Sequence, residues 1–291
     1  MQASFPLNRA FDVLKRVFGQ SDTPIFHDAA GSFPKIGTPE RAHIALVGAG
    51  PGAKDLLTLR AVERIQQADV VFYDRLVDKD VIALARQDAD CVFVGKHVGA
   101  HAWPQDRINA VIVSEALKGR RVVRLKSGDP GIFGRAGEEL TAARAEGIPV
   151  EIVPGVTSAS AAAASLGQSL TERGIADTLI LTTGMSRDGD ALPESTRFVG
   201  PGTTTALYMS VRQSARISAS LLARGLPSDA PVQIVVDASK PTERKLMATA
   251  GSFADTLSAE NVKGCAMILV TWPSSDAKAS VTPAASSKTF A

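Results

Sequence analysis

Short apolar runs alternate with longer amphipathic stretches through the first half of the chain. Runs of four or five apolar residues that end at glycine or a polar residue are typical of buried parallel strands. They predict strands at 44–48, 70–73, 91–95, 122–125 and 150–153. Helical spacing predicts helices from Asp55 onward (with Leu56, Leu59, Val62 and Ile65 on one face), around 79–86, at Gln105 to Leu117 and at about 136–146. This alternation indicates βαβ units and a parallel sheet.

The second half continues the alternation after a break at Pro154 and Gly155. The segment TSASAAAASL predicts a helix of small residues that packs closely against a neighbour. Further strands are predicted at 178–183, 204–209, 232–236, 244–249 and 266–271, with a helix at 213–223. Only a short connection separates the runs at 232–236 and 244–249, which favours an antiparallel pair and a mixed sheet.

The pattern predicts an α/β fold of two domains, an N-terminal one with a parallel sheet and a C-terminal one with a mixed sheet. We expect an N-terminal tail over 1–42, domains over 43–154 and 155–273, and a disordered C-terminal tail over 274–291. A cleft between two such domains, at the carboxyl ends of strands, is the usual place for a ligand.

Composition and charge narrow the classes of function. The 291 residues are 45% hydrophobic and only 5% aromatic, which predicts a folded core of Ala, Val, Leu and Ile. A net charge of +2 argues against a nucleic-acid binder. No run approaches the roughly 18–20 apolar residues of a membrane span. The basic amphipathic stretch from Phe5 to Phe18 is either a membrane-surface segment or, as we favour, a helix that docks on this protein or a second subunit.

The two cysteines and the absence of known catalytic motifs argue against metal and disulfide chemistry. Cys91 and Cys265 lie in predicted strands, where we expect buried structural thiols. They show neither metal-ligand spacing nor a disulfide framework, which fits the reducing cytoplasm. No HExxH, GxSxG, Walker A or paired-Cys motif occurs, and no metal is predicted.

A glycine-rich turn from Gly48 to Gly52 follows the first predicted strand. Glycines allow a sharp turn and the close approach of a ligand. The dinucleotide fingerprint requires a glycine where Ala53 stands, and Pro51 lacks the N–H that a phosphate needs. A phosphate-binding loop is therefore disfavoured, which leaves a site for another ligand or a plain turn.

Charged residues follow the second, third and fourth predicted strands. Tyr73-Asp74-Arg75 either faces the cleft or forms a helix cap or a surface ion pair. Lys96 either binds an anion or transfers a proton, or is a solvated lysine. The segment from Arg124 to Arg135 is the strongest candidate, because a plain connection is shorter and less charged.

The segment PGVTS at the predicted domain junction is the last candidate. Its hydroxyls and backbone groups either contact a ligand or cap the following helix, with Thr157 or Ser158 as the cap residue.

Taken in order, these segments resemble the tetrapyrrole methylase family. The motifs are VGAGPG, LLTL, YDRLV, VGK, a Pro-Gln before a helix, RLKSGDPGIFGRAGEE and VPGVTS, and the likeness runs from about residue 43 to residue 272. RLKSGDPGIFGR and YDRLV are most similar to the members that methylate uroporphyrinogen III. The resemblance implies two α/β domains, S-adenosylmethionine as the methyl donor in the cleft between them, and a homodimer.

The resemblance also implies a reaction and its residues. Two methyl groups pass from the donor to C2 and C7 of uroporphyrinogen III, which gives precorrin-1 and then precorrin-2 for siroheme or cobalamin. Asp74 and Lys96 match the family's proposed proton acceptor and donor. The positions that match its donor contacts are Pro51, Ser127, Gly128, Asp129, Ile132, Thr157, Ser158, Met209 and, in place of a glycine, Ala238.

The residues agree with that chemistry. Direct methyl displacement needs no nucleophilic Ser or Cys, and most of its acceleration comes from alignment of the reactants. A carboxylate such as Asp74 stabilises the cationic ring or accepts its proton. The substrate carries many carboxylates, and the cations predicted to bind them are Arg75, Arg124, Lys126, Arg135 and Arg173.

Departures from the family pattern leave alternatives open. Ser127, Gly131 and Ala136 replace Gly, Phe and Gly, and residues 167–173 differ from the usual GIPLTHR. The first alternative is a methyltransferase for a later precorrin, and a more distant one methylates protein or ribosomal RNA. A silent tetrapyrrole-binding module conflicts with the presence of Asp74 and Lys96. A nicotinamide-dependent dehydrogenase conflicts with the broken glycine fingerprint.

Overall fold

The computed structural model describes residues 43–95, 103–186, 191 and 193–275, all within one compact unit of the chain. The predicted tail over 1–42, including Phe5 to Phe18, and residues 276–291 lie outside the described residues. Ser274, at the predicted start of the C-terminal tail, still donates from its N–H to the Ile175 carbonyl at 2.8 Å.

The first sheet is parallel throughout, with the strand order β3-β2-β4-β1-β5. Because its strands run in one direction, their carboxyl ends meet at one edge of the sheet. Every residue of β1 and β4 is buried, as expected for central strands covered on both faces. The strands are β1 (Ile44–Gly48), β2 (Val70–Tyr73), β3 (Asp90–Phe93), β4 (Val122–Lys126) and β5 (Val150–Val153).

Helices cover both faces of the first sheet. They are α1 (Leu59–Gln67), α2 (Lys79–Ile82), α3 (Gln105–Leu117) and α4 (Ala136–Ala145). One core cluster joins α3 and α4 to the sheet around Phe72 and Ile112, and another joins α1 and α2 to the opposite face around Ile65 and Val71. The predicted layered α/β architecture of this half is confirmed.

The second sheet is mixed, with the order β6-β7-β10-β8-β9. Strands β6 and β7 are parallel, whereas β10 is antiparallel to both β7 and β8. The predicted antiparallel pairing of β8 with β9 is confirmed. The strands are β6 (Thr178–Thr183), β7 (Thr203–Tyr208), β8 (Pro231–Val236), β9 (Arg244–Thr249) and β10 (Ala266–Trp272).

The second sheet is also covered on both faces, by α5 (Ser158–Leu166) on one and by α6 (Ser214–Ala223) and α7 (Phe253–Ala259) on the other. Alanines of α5 pack directly on Val235 and Leu269, which confirms the prediction of a closely packed helix of small residues. The helix α7 was not predicted. Among the described residues, no helix is both long and apolar enough to cross a membrane.

Three sequence predictions need correction. The helix expected from Asp55 is a 3-10 turn followed by α1, because the Thr58 side chain accepts from the Ala61 N–H and caps a new helix there. Leu59, the first residue of α1, is 75% exposed instead of buried. Cys91 and Cys265 are both exposed, since Cys91 lies on the edge strand β3 and Cys265 precedes β10.

Candidate active site

The loops after β1, β4 and β5 converge at the carboxyl edge of the first sheet. The N–H of Gly128 donates to the Gly50 carbonyl at 2.7 Å, and the N–H of Gly50 donates back at 3.2 Å. The Ala49 N–H donates to the Lys126 carbonyl at 2.8 Å. The Gly50–Gly128 pair is an isolated antiparallel bridge beyond the parallel β1–β4 ladder, so the glycine-rich turn is held by the neighbouring loop.

Close backbone packing explains Gly48 and Gly155 in these loops, and a positive φ explains Gly128. A Cβ on Gly155 would lie 2.3 Å from the Gly128 carbonyl oxygen and 2.9 Å from the Cα of Gly48. A Cβ on Gly48 would lie 2.6 Å from the Cα of Gly155. Gly128 has a φ of +70°, in the left-handed region that glycine adopts without strain. Larger residues at Gly48 and Gly155 would push the loops apart.

Asp129 ties two of these loops together. One oxygen of its carboxylate accepts from the Gly131 N–H at 2.7 Å and the other from the Gly155 N–H at 3.0 Å. The side chain therefore fixes the turn after β4 against the start of the segment that leads to α5.

Tyr208, at the end of β7, joins the second sheet to this edge. Its hydroxyl lies 2.6 Å from Thr157 Oγ1 and accepts from the Ala159 N–H at 3.3 Å, while its ring packs on Phe133 with centroids 4.9 Å apart. Burial raises the pKa of Tyr208, so its hydroxyl stays protonated. Thr157 is the backbone N-cap of α5, but its side chain makes no capping bond.

The loop after β8 reaches the glycine-rich turn from the other side. The Ser239 hydroxyl accepts from the Ala53 N–H at 3.2 Å, and the Ser239 N–H donates to Glu243 at 2.7 Å. The side chain of Lys240 packs against Gly52, where a Cβ would lie 2.6 Å from its Cγ. These contacts bring Ala238 and Pro51 into adjacent loops.

Asp74 is the partly exposed end of a network of four charged side chains. Its carboxylate accepts from the Leu76 N–H at 3.0 Å and from Arg124 Nη2 at 3.2 Å. Arg124 also donates to Glu139, as does Lys126 Nζ at 2.7 Å. Arg124 and Lys126 are 5% and 4% exposed, so contact with a substrate carboxylate would require these ion pairs to break.

Arg75, Arg135 and Arg173, three of the predicted substrate cations, are exposed. Arg135 has a φ of +58° and pairs with Glu138 at 2.7 Å. Arg173 lies in the turn between α5 and β6, where Glu172 and Ala176 exchange backbone hydrogen bonds.

The remaining predicted positions that the structure describes lie in or next to the same loops. Ser127 and Ile132 are half-buried in the loop between β4 and α4, and Ser158 begins α5. Met209 lies just after β7 with a φ of +51° and is 46% exposed. Lys96 lies outside the described residues.

The structure places three residues at this edge that were not among the predicted site residues. Tyr208 directly precedes Met209, Ser239 directly follows Ala238, and Glu139 is the second glutamate of the GRAGEE motif. Adjacency to a predicted site residue was the only signal for Tyr208 and Ser239.

A separate groove of about 770 Å³ lies between α3 and α4. Its lining includes Val113, Leu117 and Ala142 and contains none of the predicted site residues. It lies on the helices that cover the sheet, away from the strand ends that carry the converging loops. The described residues contain no cluster of three or more His, Cys, Asp or Glu that could hold a metal ion.

Comparison with known proteins shows that the residues of these loops match a protein family. A family model for Tetrapyrrole (Corrin/Porphyrin) Methylases matches residues 43–254, which include every described residue of the predicted site. Siroheme synthases from Escherichia coli (strain K12 / DH10B) and Shigella boydii serotype 18 are 47% identical over 209 residues. The alignment covers 72% of this chain and 46% of theirs, so the chain spans about half the length of these curated relatives.

Two solved structures share the fold. A uroporphyrin-III C-methyltransferase from Thermus thermophilus, in complex with S-adenosylhomocysteine, has a TM-score of 0.67 at 38% identity, covering 78% of this chain and 96% of that one. A cobalt precorrin-4 methyltransferase of cobalamin biosynthesis has a TM-score of 0.71 at 32% identity, covering 79% of this chain and 94% of that one.

Proposed function

Because this chain belongs to the tetrapyrrole (corrin/porphyrin) methylase family, we propose that it methylates uroporphyrinogen III at C2 and C7. S-adenosylmethionine is the proposed donor, and precorrin-2 is the product, formed through precorrin-1 for siroheme or cobalamin. The observation that carries the proposal is the convergence of the loops after β1, β4, β5, β7 and β8 within the family-matched residues.

The residues present fit a sulfonium donor better than a phosphate-bearing cofactor. A phosphate needs several free backbone N–H groups at one point. Here Pro51 has no N–H, and the N–H of Gly50 is used by Gly128. Gly48 and Gly155 pack backbone to backbone, which holds the loops of the proposed donor site together.

The proposed donor site comprises Pro51, residues 127–129, Ile132, Thr157, Ser158, Met209 and Ala238. S-adenosylmethionine supplies an electrophilic methyl group on a positively charged sulfur. The protein's part is to hold the loops in one arrangement before binding, through the Asp129 and Tyr208 hydrogen bonds.

We propose Asp74 as the carboxylate that stabilises the cationic ring or accepts its proton. Asp74 lies at the carboxyl end of β2, and the Leu76 N–H and Arg124 hold its side chain in one orientation. Lys96 remains the proposed proton donor. The exposed Arg75, Arg135 and Arg173 are proposed to bind substrate carboxylates.

An anaerobic assay tests the function. Purified protein is incubated with labelled S-adenosylmethionine and fresh uroporphyrinogen III, and the tetrapyrrole is analysed by mass. The expected product is heavier by two methyl groups, and Asp74→Asn is expected to lower its rate of formation by about 100-fold or more. Donor binding without methylation of uroporphyrinogen III would reject this substrate, and no donor binding would reject the function.

A later precorrin is the second candidate substrate. The precorrin-4 methyltransferase structure superposes with the higher TM-score, 0.71 against 0.67, although its sequence identity is lower. The same assay with cobalt-precorrin-4 in place of uroporphyrinogen III separates the two candidates.

We also propose a cytoplasmic homodimer with domains over 43–154 and 155–273. The free thiols of Cys91 and Cys265 fit a reducing compartment. Sedimentation of the purified protein tests the dimer, and a mass of one chain would reject it.

A further inference from the structure

Glu139 is a buried carboxylate for which the proposed chemistry gives no role. It lies in the first turn of α4, and its side chain is 1% exposed. Arg124 Nε lies 3.3 Å from one carboxylate oxygen, and Lys126 Nζ lies 2.7 Å from the other. Gln105 Nε2 also donates to it at 3.4 Å.

The contacts of Glu139 lead through Arg124 to Asp74. Arg124 uses its three guanidinium nitrogens separately, on Glu139, on the Leu125 carbonyl at 2.7 Å and on Asp74 at 3.2 Å. Asp74 is the most exposed member, since its side chain is 28% exposed while the other three are below one tenth. The network therefore runs from a buried anchor to one accessible carboxylate.

Stability alone is a weak explanation for this arrangement. Burial of an ion pair is often no better for stability than burial of apolar residues of similar size. Burial lowers the pKa of Lys126 even though Glu139 lies beside it. The carboxylate therefore does not fully offset the cost of removing the Lys126 ammonium group from water. Two cations face two carboxylates, so removal of Glu139 leaves Arg124 and Lys126 with one carboxylate between them.

We propose that Glu139 is a positioning residue that orients Asp74 through Arg124. Glu139 fixes the guanidinium plane so that one Nη points at the Asp74 carboxylate, and it touches neither substrate nor donor. The inference rests on the proposed function, because Asp74 is there the acid-base group.

The test compares Glu139→Gln and Glu139→Asp with a matched control, Glu151→Gln. Glu151 also binds a buried arginine through two bonds, to Arg64 Nε at 2.6 Å and Nη2 at 3.3 Å, and it lies on β5 outside the proposed site. Each variant is measured for kcat, KM, affinity for S-adenosylhomocysteine and thermal unfolding, and each is crystallised.

We expect Glu139→Gln to lower kcat at least tenfold while affinity for S-adenosylhomocysteine changes less than twofold. Glu139→Asp, which keeps the charge, is expected to recover part of kcat and keeps the test open if the glutamine variant does not fold. Glu151→Gln is expected to lower the melting temperature and leave kcat unchanged. An unchanged kcat in both Glu139 variants, or equal losses of kcat and donor affinity, would overturn the proposal.

The crystal structures give a readout that does not depend on turnover. In Glu139→Gln we expect the 3.2 Å contact between Arg124 and Asp74 to be lost, and its retention would overturn the positioning role. A wild-type protein that methylates no uroporphyrinogen III rejects the proposed function instead, and the Arg124–Asp74 contact in the variants still decides the role of Glu139.

Discussion

The backbone packing of three glycines makes Gly155→Ala a sharp test of the site's architecture. The new methyl group would lie 2.3 Å from the Gly128 carbonyl oxygen and 2.9 Å from Gly48 Cα, and neither atom belongs to a flexible side chain. Normal contact requires the loops to separate by about 1 Å. Overpacking of this kind typically destabilises a protein by about 1–3 kcal/mol.

The matched control is the same substitution at Gly137. This glycine lies within α4, and an added Cβ meets nothing within 4 Å. Alanine is more favourable than glycine by about 1 kcal/mol in a helix interior and by less in the first turn, where Gly137 lies. The two variants are therefore expected to shift stability in opposite directions.

Thermal unfolding and calorimetric binding of S-adenosylhomocysteine measure both consequences. For Gly155→Ala, a loss of about 2 kcal/mol corresponds to a melting temperature lower by about 4–8 °C. We also expect donor-product affinity to fall by about tenfold, since Asp129 accepts from the Gly155 N–H. Wild-type stability and affinity in Gly155→Ala would refute the argument that these loops are held by backbone contact.

Three further predictions follow from individual contacts. Hydrogen bonds from Arg121 hold the pKa of Asp69 at about 2, below its ordinary 3.8, so this stabilisation is complete above about pH 4 and is lost toward pH 2. Asp69→Asn should lower the free energy of unfolding by about 1–2 kcal/mol at pH 7 and make it fall less steeply between about pH 4 and pH 2 than in the wild type. The same slope in variant and wild type would contradict this. Tyr208→Phe removes the hydrogen-bond partner of Thr157 and should lower the free energy of unfolding by about 1 kcal/mol. We also expect calorimetry to show weaker binding of S-adenosylhomocysteine. Ser239→Ala removes an acceptor and should also weaken that binding, and unchanged affinity in either variant would contradict the role of its hydroxyl.

The layered architecture was predictable because strand and helix periods differ strongly in this sequence. The runs at 70–73 and 178–183 match β2 and β6 to the residue. The short connection between β8 and β9 permits only an antiparallel pair, and this was also predictable. The first residues of the helices were less predictable, because a single capping residue, Thr58, determines where α1 begins.

Side-chain partners could not be read from the sequence. Arg124 was predicted at the end of a strand and Lys126 in the loop after it, whereas both lie on the fully buried strand β4, on either side of Leu125. Their binding to substrate remains a prediction. Both pair in the interior with Glu139 of α4, which lies 15 residues after Arg124 and 13 after Lys126 in the sequence. The exposure of Cys91 likewise depends on strand order, which places β3 at the edge of the sheet.

Ala238 shows how a departure from the family pattern is accommodated at this site. A methyl group in place of a glycine hydrogen is costly where the backbone is left-handed. Here the positive φ angles fall on Asp237 and Ser239, at +51° and +67°, and Ala238 between them is not left-handed. Ala238 is 8% exposed and belongs to a core cluster with alanines of α5 and Met267. Since Ser239 still accepts from the Ala53 N–H, the loop reaches the glycine-rich turn without a glycine at position 238.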